Sequence, residues 1–176
     1  MTTLAPAAQP VAFESPRRVD AEDLARADYY ALLASLFYRP PDARLLQAIV
    51  IAAPPQGDAD HELAAAWEGL AAASSVVTAE AVAEEYESLY GGTGRAAVML
   101  FGSFYLAGFL NEKPLAALRS DLAEMGFSRN ESAGETEDHI AALCDVMRVL
   151  ILGDLSRTPA DVATQKTFFK RHFEPW

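Results

Sequence analysis

The string Glu135-Thr136-Glu137-Asp138-His139 places three carboxylates and an imidazole within five residues, just ahead of an apolar stretch. One reading is structural. Acids and hydrogen-bonding side chains complement a helix N-terminus, where unpaired N–H groups and the helix dipole favour negative charge. The other is functional: an acidic lip that receives a cationic peptide, or binds a ligand through Asp138 and His139. A carboxylate beside an imidazole also resembles an acid/base pair. No nucleophile or oxyanion site accompanies it, so the string does not support catalysis.

The remaining chemistry-bearing residues exclude more than they suggest. The histidines are His61, His139 and His172. Di-iron bundles need Glu-x-x-His, but Thr136 stands three residues before His139, so that pattern fails and no metal site is expected. Gly91-Gly92-Thr93-Gly94 could cradle a phosphate, yet it lacks the spacing and lysine of a nucleotide loop. It follows a helix rather than a strand and reads as a turn. Cys144 is the single cysteine, lies in an apolar stripe and reads as core.

These residues have to be positioned by helices. Alanine supplies 34 of 176 residues and β-branched runs are scarce, so an all-α fold is expected. The chain is long enough for one domain that folds without disulfide or metal. Its formal charge of −11 repels phosphate backbones and anionic membranes, so no nucleic acid is expected as partner. The acidity suits a cationic partner, or merely keeps an alanine-rich chain soluble. No apolar run is long enough to span a bilayer. Arg17-Arg18 is followed by Val19-Asp20-Ala21-Glu22-Asp23, which is acidic where an export signal is apolar. A cytoplasmic protein is expected.

Along the chain, residues 1–20 read as a proline-containing flexible tail. A first helix starts near Asp20 to Asp23, and Pro40-Pro41 stops it. Its apolar residues cover more than one face, which predicts burial on most sides. Further helices fit 42–52, about 60–73 and 78–90. In the last of these Val82, Tyr86, Leu89 and Tyr90 share one face, and Glu84, Glu85 and Glu87 form the solvated side. Residues 95–112 are aromatic, with too many glycines for one long helix. Pro114 opens the next helix and Gly126 caps it. Thr136 is expected to N-cap the helix carrying Ile140, Leu143, Cys144, Met147, Leu150 and Ile151, which Gly153 ends. A last helix fits about 159–172. The total is seven to eight helices.

The order of several segments resembles the TorD/DmsD group of chaperones, the redox-enzyme maturation proteins related to NarJ. Tyr29 to Phe37 followed by Pro40-Pro41 is similar to that family's first helix. Glu85-Tyr86-Glu87-Ser88-Leu89-Tyr90-Gly91-Gly92 resembles its E-Y-x-x-L-F-x-G segment. Ser103-Phe104-Tyr105 and Gly108-Phe109-Leu110 fall where it has S-x-Y and G-x-L. Lys113-Pro114-Leu115 through Leu118-Arg119 and Gly126 are similar to its next helix. Glu135 to His139 resembles the signature E-P-x-D-H, with Thr136 in place of proline. His172-Phe173-Glu174-Pro175-Trp176 is similar to H-L-x-P-W.

The resemblance implies a single TorD-like domain: an N-terminal helical part (21–126), a hinge loop (127–138) and a C-terminal helical part (139–176). Relatives continue through one or two more helices beyond Trp176, so the resemblance implies a truncated chain, a short variant, or a core completed by dimerisation or domain swapping, with a monomer and a domain-swapped dimer both open. It implies a chaperone rather than an enzyme. The partner would be the precursor of a molybdopterin-dependent oxidoreductase, bound through its twin-arginine leader and its apo body until cofactor insertion. Expected peptide-binding residues are Glu135, Glu137, Asp138 and His139, with Phe104 and Tyr105 holding the leader's apolar stretch in a groove. No cofactor is expected beyond weak GTP binding at the hinge. The alternatives are a nucleotide-binding or nucleotide-hydrolysing protein that uses the hinge, and a generic helical interaction module.

Overall fold

The computed structural model describes residues 18–53, 61–91, 96–129 and 134–176. Most of the expected tail, three residues of the glycine turn and the middle of the hinge loop lie outside them. Among the described residues there are eight α-helices and no strand. None of these helices is long and apolar enough to cross a membrane.

Local chemistry sets most of the boundaries. Helix α1 (Ala21–Tyr38) begins where Asp20 accepts from the Asp23 N–H at 2.9 Å, and stops before Pro40-Pro41. Helix α2 (Ala43–Ile51) is capped by Asp42, and α4 (Ala79–Tyr90) by Thr78, each through its own side chain. Helix α3 (His61–Val76) lies between them. Residues 102–107 form one short helix, α5 (Gly102–Ala107). Pro114 sits in the first turn of α6 (Lys113–Glu124). Helices α6 and α7 (Ile140–Leu152) end at Gly126 and Gly153, both at positive φ. Asp161 caps α8 (Val162–His172).

The core lies between the two ends of the described chain. Helix α1 packs along α7, α8 packs on α7, and α5 packs on α6. Leu115, Leu118 and Leu122 of α6 meet Leu143, Met147, Leu150 and Ile151 of α7, with Phe168 from α8 and Ala27 from α1. A second cluster joins Ala34 of α1 to Ala141 and Cys144 of α7. Burial pushes the Cys144 thiol up to about 12, which suits an inert core residue. Polar links tie α1 to α8: buried Asp23 pairs with Arg26, and Arg26 donates to Gln165 at 2.9 Å. Helices α2 and α3 pack mainly on each other, outside this core.

One expectation fails. Helix α1 is not buried on most sides: Leu24, Leu33 and Tyr38 are exposed, and only Asp23, Ala27 and Ala34 are buried. Small side chains form the contact, so the α1 and α7 backbones approach closely, and the larger apolar residues are left at the edges. Close packing of this kind tolerates little added volume. Ala27→Leu is therefore expected to lower the unfolding free energy by about 1–3 kcal/mol. Leu24→Ala should cost less than about 1 kcal/mol, because Leu24 is half exposed. Urea unfolding of the two variants checks the contrast.

Candidate functional site

Helix α5 is too short to sustain itself, because a single helical turn fixes many dihedrals for few hydrogen bonds. Its N-cap, Phe101, contributes no side-chain hydrogen bond. The missing acceptors come from the acidic string. The Asp138 carbonyl accepts from the Gly102 N–H at 3.0 Å, and Asp138 Oδ2 accepts from the Ser103 N–H at 2.9 Å. The Thr136 hydroxyl donates to Asp138 Oδ1 at 2.6 Å. One step on, the Ile140 N–H donates to the Leu100 carbonyl at 2.9 Å, and Phe101 pairs with His139 in an isolated antiparallel bridge. The string thus ties the start of α5 to the start of α7.

The N-cap of α7 differs from the expected one. Thr136 does not cap α7, because its hydroxyl serves Asp138. His139 does, with Nδ1 accepting from the Ala141 N–H at 3.1 Å. That role requires a neutral ring with its proton on Nε2. Burial lowers the His139 pKa, while the Glu135 and Asp138 charges pull the other way. The ring also meets Phe101 edge-on, with centroids 5.0 Å apart.

Glu137 points elsewhere. Its carboxylate takes Arg119 of α6 at 2.8 Å and lies 3.7 Å from Arg129. Burial alone pushes this carboxyl up. Hydrogen bonds from Arg119 and its own backbone, with the Arg119 and Arg129 charges, outweigh that and hold it low. Glu135 is exposed, and its carboxylate has no hydrogen bond or ion pair among the described residues. Of the four string residues expected to face a ligand, Asp138 and His139 are therefore buried and engaged, and Glu137 is paired. Only Glu135 presents a carboxylate of this kind.

Beside Glu135 and His139 lies a groove of about 740 Å³. Tyr38, Tyr86 and Tyr90 line it together with Phe101 and Phe104, and Phe109 and Leu110 from the segment after α5 add to the lining. Tyr86 and Tyr90 meet edge-on, and Tyr86 Oη donates to the Phe37 carbonyl at 2.8 Å. Phe109 is 71% exposed, and Leu110 and Val98 of the same lining are also exposed, so the groove presents apolar surface open to solvent. Its charged residues are Glu87 and Glu135, and no lysine or arginine is among the described lining. Burial raises the Tyr86 hydroxyl pKa, with further contributions from the Tyr90, Glu87 and Glu135 charges. Both carboxylates therefore act on one ring, from different elements.

Phe104 lies where a groove residue is expected. Tyr105 does not line the groove: it stacks on Trp176, centroids 5.7 Å apart with planes at 20°, and meets Phe104 edge-on. Glu87 is the groove residue that sequence reading missed. It is exposed, as expected for the solvated side of α4, and nothing in its spacing distinguishes it from Glu84 or Glu85. Among the described residues no group of His, Cys, Asp and Glu is arranged to hold a metal ion.

Two predictions follow from this geometry. Asp138→Ala removes the acceptor for Ser103 and is expected to cost about 1–3 kcal/mol, with faster hydrogen exchange at the Ser103 amide. Ser103→Ala should cost nothing or stabilise, because its buried hydroxyl has no partner among the described residues. The second concerns pH. His139 and His172 both have depressed folded-state pKa values, chiefly through burial. The unfolded chain then binds more protons below about pH 6.5, so stability is complete above that value and is lost as pH falls through it. Thermal melts should show a falling Tm between about pH 7 and about pH 5.5, and His139→Asn, which keeps a capping side chain, should flatten the slope.

No curated protein matches the chain. A family model, described as nitrate reductase delta subunit, matches residues 56–176. The match takes in α3 to α8, the acidic string, and the whole groove except Tyr38. The chain belongs to the nitrate reductase delta subunit family, the NarJ-type relatives of the TorD/DmsD chaperones.

Proposed function

We propose that this chain holds the twin-arginine leader of a molybdenum-containing oxidoreductase in the groove between α4 and α5, and so delays export until the metal cofactor is in place. Members of this family are maturation chaperones for molybdoenzymes. The family's description suggests a client of the nitrate reductase class. Such a chaperone works in the cytoplasm, before export, and needs no catalytic step.

One observation carries the proposal of leader binding: an open aromatic groove whose charged residues, among those described, are all carboxylates. A twin-arginine leader has two guanidiniums followed by an apolar stretch. Guanidinium pairs with carboxylate through charge-assisted hydrogen bonds and packs on aromatic faces. Glu87 and Glu135, with Tyr86 in the same lining, offer both contacts. Phe104, Phe109 and Leu110 offer the apolar stretch a surface it can cover. Asp138 and His139 serve this reading as the supports that hold the wall of the groove. The nucleotide reading gains nothing here, since a triphosphate would meet the same two carboxylates.

A synthetic peptide with two adjacent arginines and an apolar stretch tests the reading by calorimetric titration of the full chain. Glu87→Gln combined with Glu135→Gln is expected to weaken binding at least tenfold, equivalent to about 1.4 kcal/mol. Lysines in place of both arginines should weaken it too, because the bidentate fork is lost. GTP should not compete. Unchanged affinity in the double variant, or displacement of the peptide by GTP, would remove the groove from the account.

A further inference from the structure

We infer that Trp176 positions the groove: its indole, seated on Gly102, sets the placement of α5 and hence of the aromatic wall facing the leader. This rests on the proposed groove for its binding readout, but the packing stands independently. Gly102 is the first residue of α5. A Cβ added there would lie 2.9 Å from both Cε2 and Nε1 of Trp176, closer than real contacts allow. The indole therefore rests on the backbone at the start of the helix. The same indole stacks on Tyr105. Gly102 and Tyr105 are three residues apart, on one face of α5. Phe104, the next position round the helix, lines the groove.

The indole is itself anchored. Trp176 Nε1 donates to the His172 carbonyl at 2.7 Å, and His172 Nε2 lies 2.7 Å from Asp121 Oδ2 on α6. Arg171 also reaches Asp121, at 3.0 Å. Trp176 packs against the main core cluster while remaining only partly buried. A chain of contacts thus runs from α6 and α8 through the indole to α5. Asp138 holds the N–H groups of Gly102 and Ser103, and Trp176 covers the Gly102–Tyr105 face. Together they supply the orientation that a six-residue helix lacks. Removing the indole frees Phe104 and Phe109 to shift, and leaves Glu87 and Glu135 untouched. The loss should therefore fall on the apolar half of the peptide.

The test is a double-mutant cycle on the full chain, with Trp176→Ala, Gly102→Ala and the pair. Each is titrated with two peptides: two arginines plus an apolar stretch, and the same arginines plus a serine stretch. Each single variant is expected to weaken the first peptide roughly tenfold. The pair should be no weaker than Trp176→Ala alone, because the added methyl collides only with the indole. Binding of the serine peptide should not change, and Trp176→Phe should recover part of the loss. Additive effects, or wild-type affinity in Trp176→Ala, would overturn the inference. Hydrogen exchange separates its failure from that of the groove. Faster exchange at Phe104 and Tyr105 with α7 unchanged supports the positioning role even if neither peptide binds, in which case it is the leader reading that fails. Faster exchange throughout α7 would make Trp176 an ordinary core residue and overturn it.

Discussion

The hydrogen bonds that Asp138 accepts from the first two N–H groups of α5 are the constraint on which the site depends. A helix of one and a half turns gains too little from its own ladder to offset the entropy of forming it. Its N-cap gives no help, so its partners come from a loop on the far side of α6. Once Asp138 is fixed, much else follows. Its neighbour His139 starts α7, its neighbour Glu137 pairs with α6, and Phe101 is held against the imidazole. A single turn of chain thereby registers three helices against one another. It does so with both oxygens of the buried carboxylate hydrogen-bonded, the condition under which a buried charge is tolerated.

What could be read from the sequence follows the range of the interactions involved. Helix ends were legible where the stop signal is local: Pro40-Pro41, Pro114, Gly126 and Gly153 act through their own backbone. The α7 core stripe was legible because its residues recur at helical spacing. The acidic string was legible as a capping element, but not in its assignment. Distance along the chain conceals that Asp138 caps α5, and the nearer hydroxyl of Thr136 looked like the cap of α7. The burial of α1 was overestimated for a related reason. Apolar residues on several faces do not say which face a partner covers, and here the covered one is marked by Ala27 and Ala34.

The groove shows a second limit. Phe104 could be singled out because it sits in an aromatic run beside glycines. Glu87 could not, because an exposed glutamate on an amphipathic helix looks the same whether or not a partner faces it. It gains meaning only when α4 and the acidic string converge on Tyr86. The net acidity of the chain then has a local expression. Arg119 pairs with Glu137, Arg171 with Asp121 and Arg157 with Asp154, while the carboxylates facing the groove meet no cation among its described lining. A surface of that kind, aromatic and apolar with carboxylates as its charged groups among the described lining, has the chemistry that the proposed leader would complement.

The most direct test is to find where a bound leader lies. A photo-crosslinking phenylalanine analogue at position 109, in the full chain, would be irradiated with the client precursor and the product mapped by mass spectrometry. A leader seated in the groove gives a crosslink to the apolar stretch just after the arginine pair. The same analogue placed at exposed Val76, at the end of α3, should give none. Capture of the leader at Val76 and not at 109, or a crosslink from 109 only to the body of the precursor, would contradict that placement.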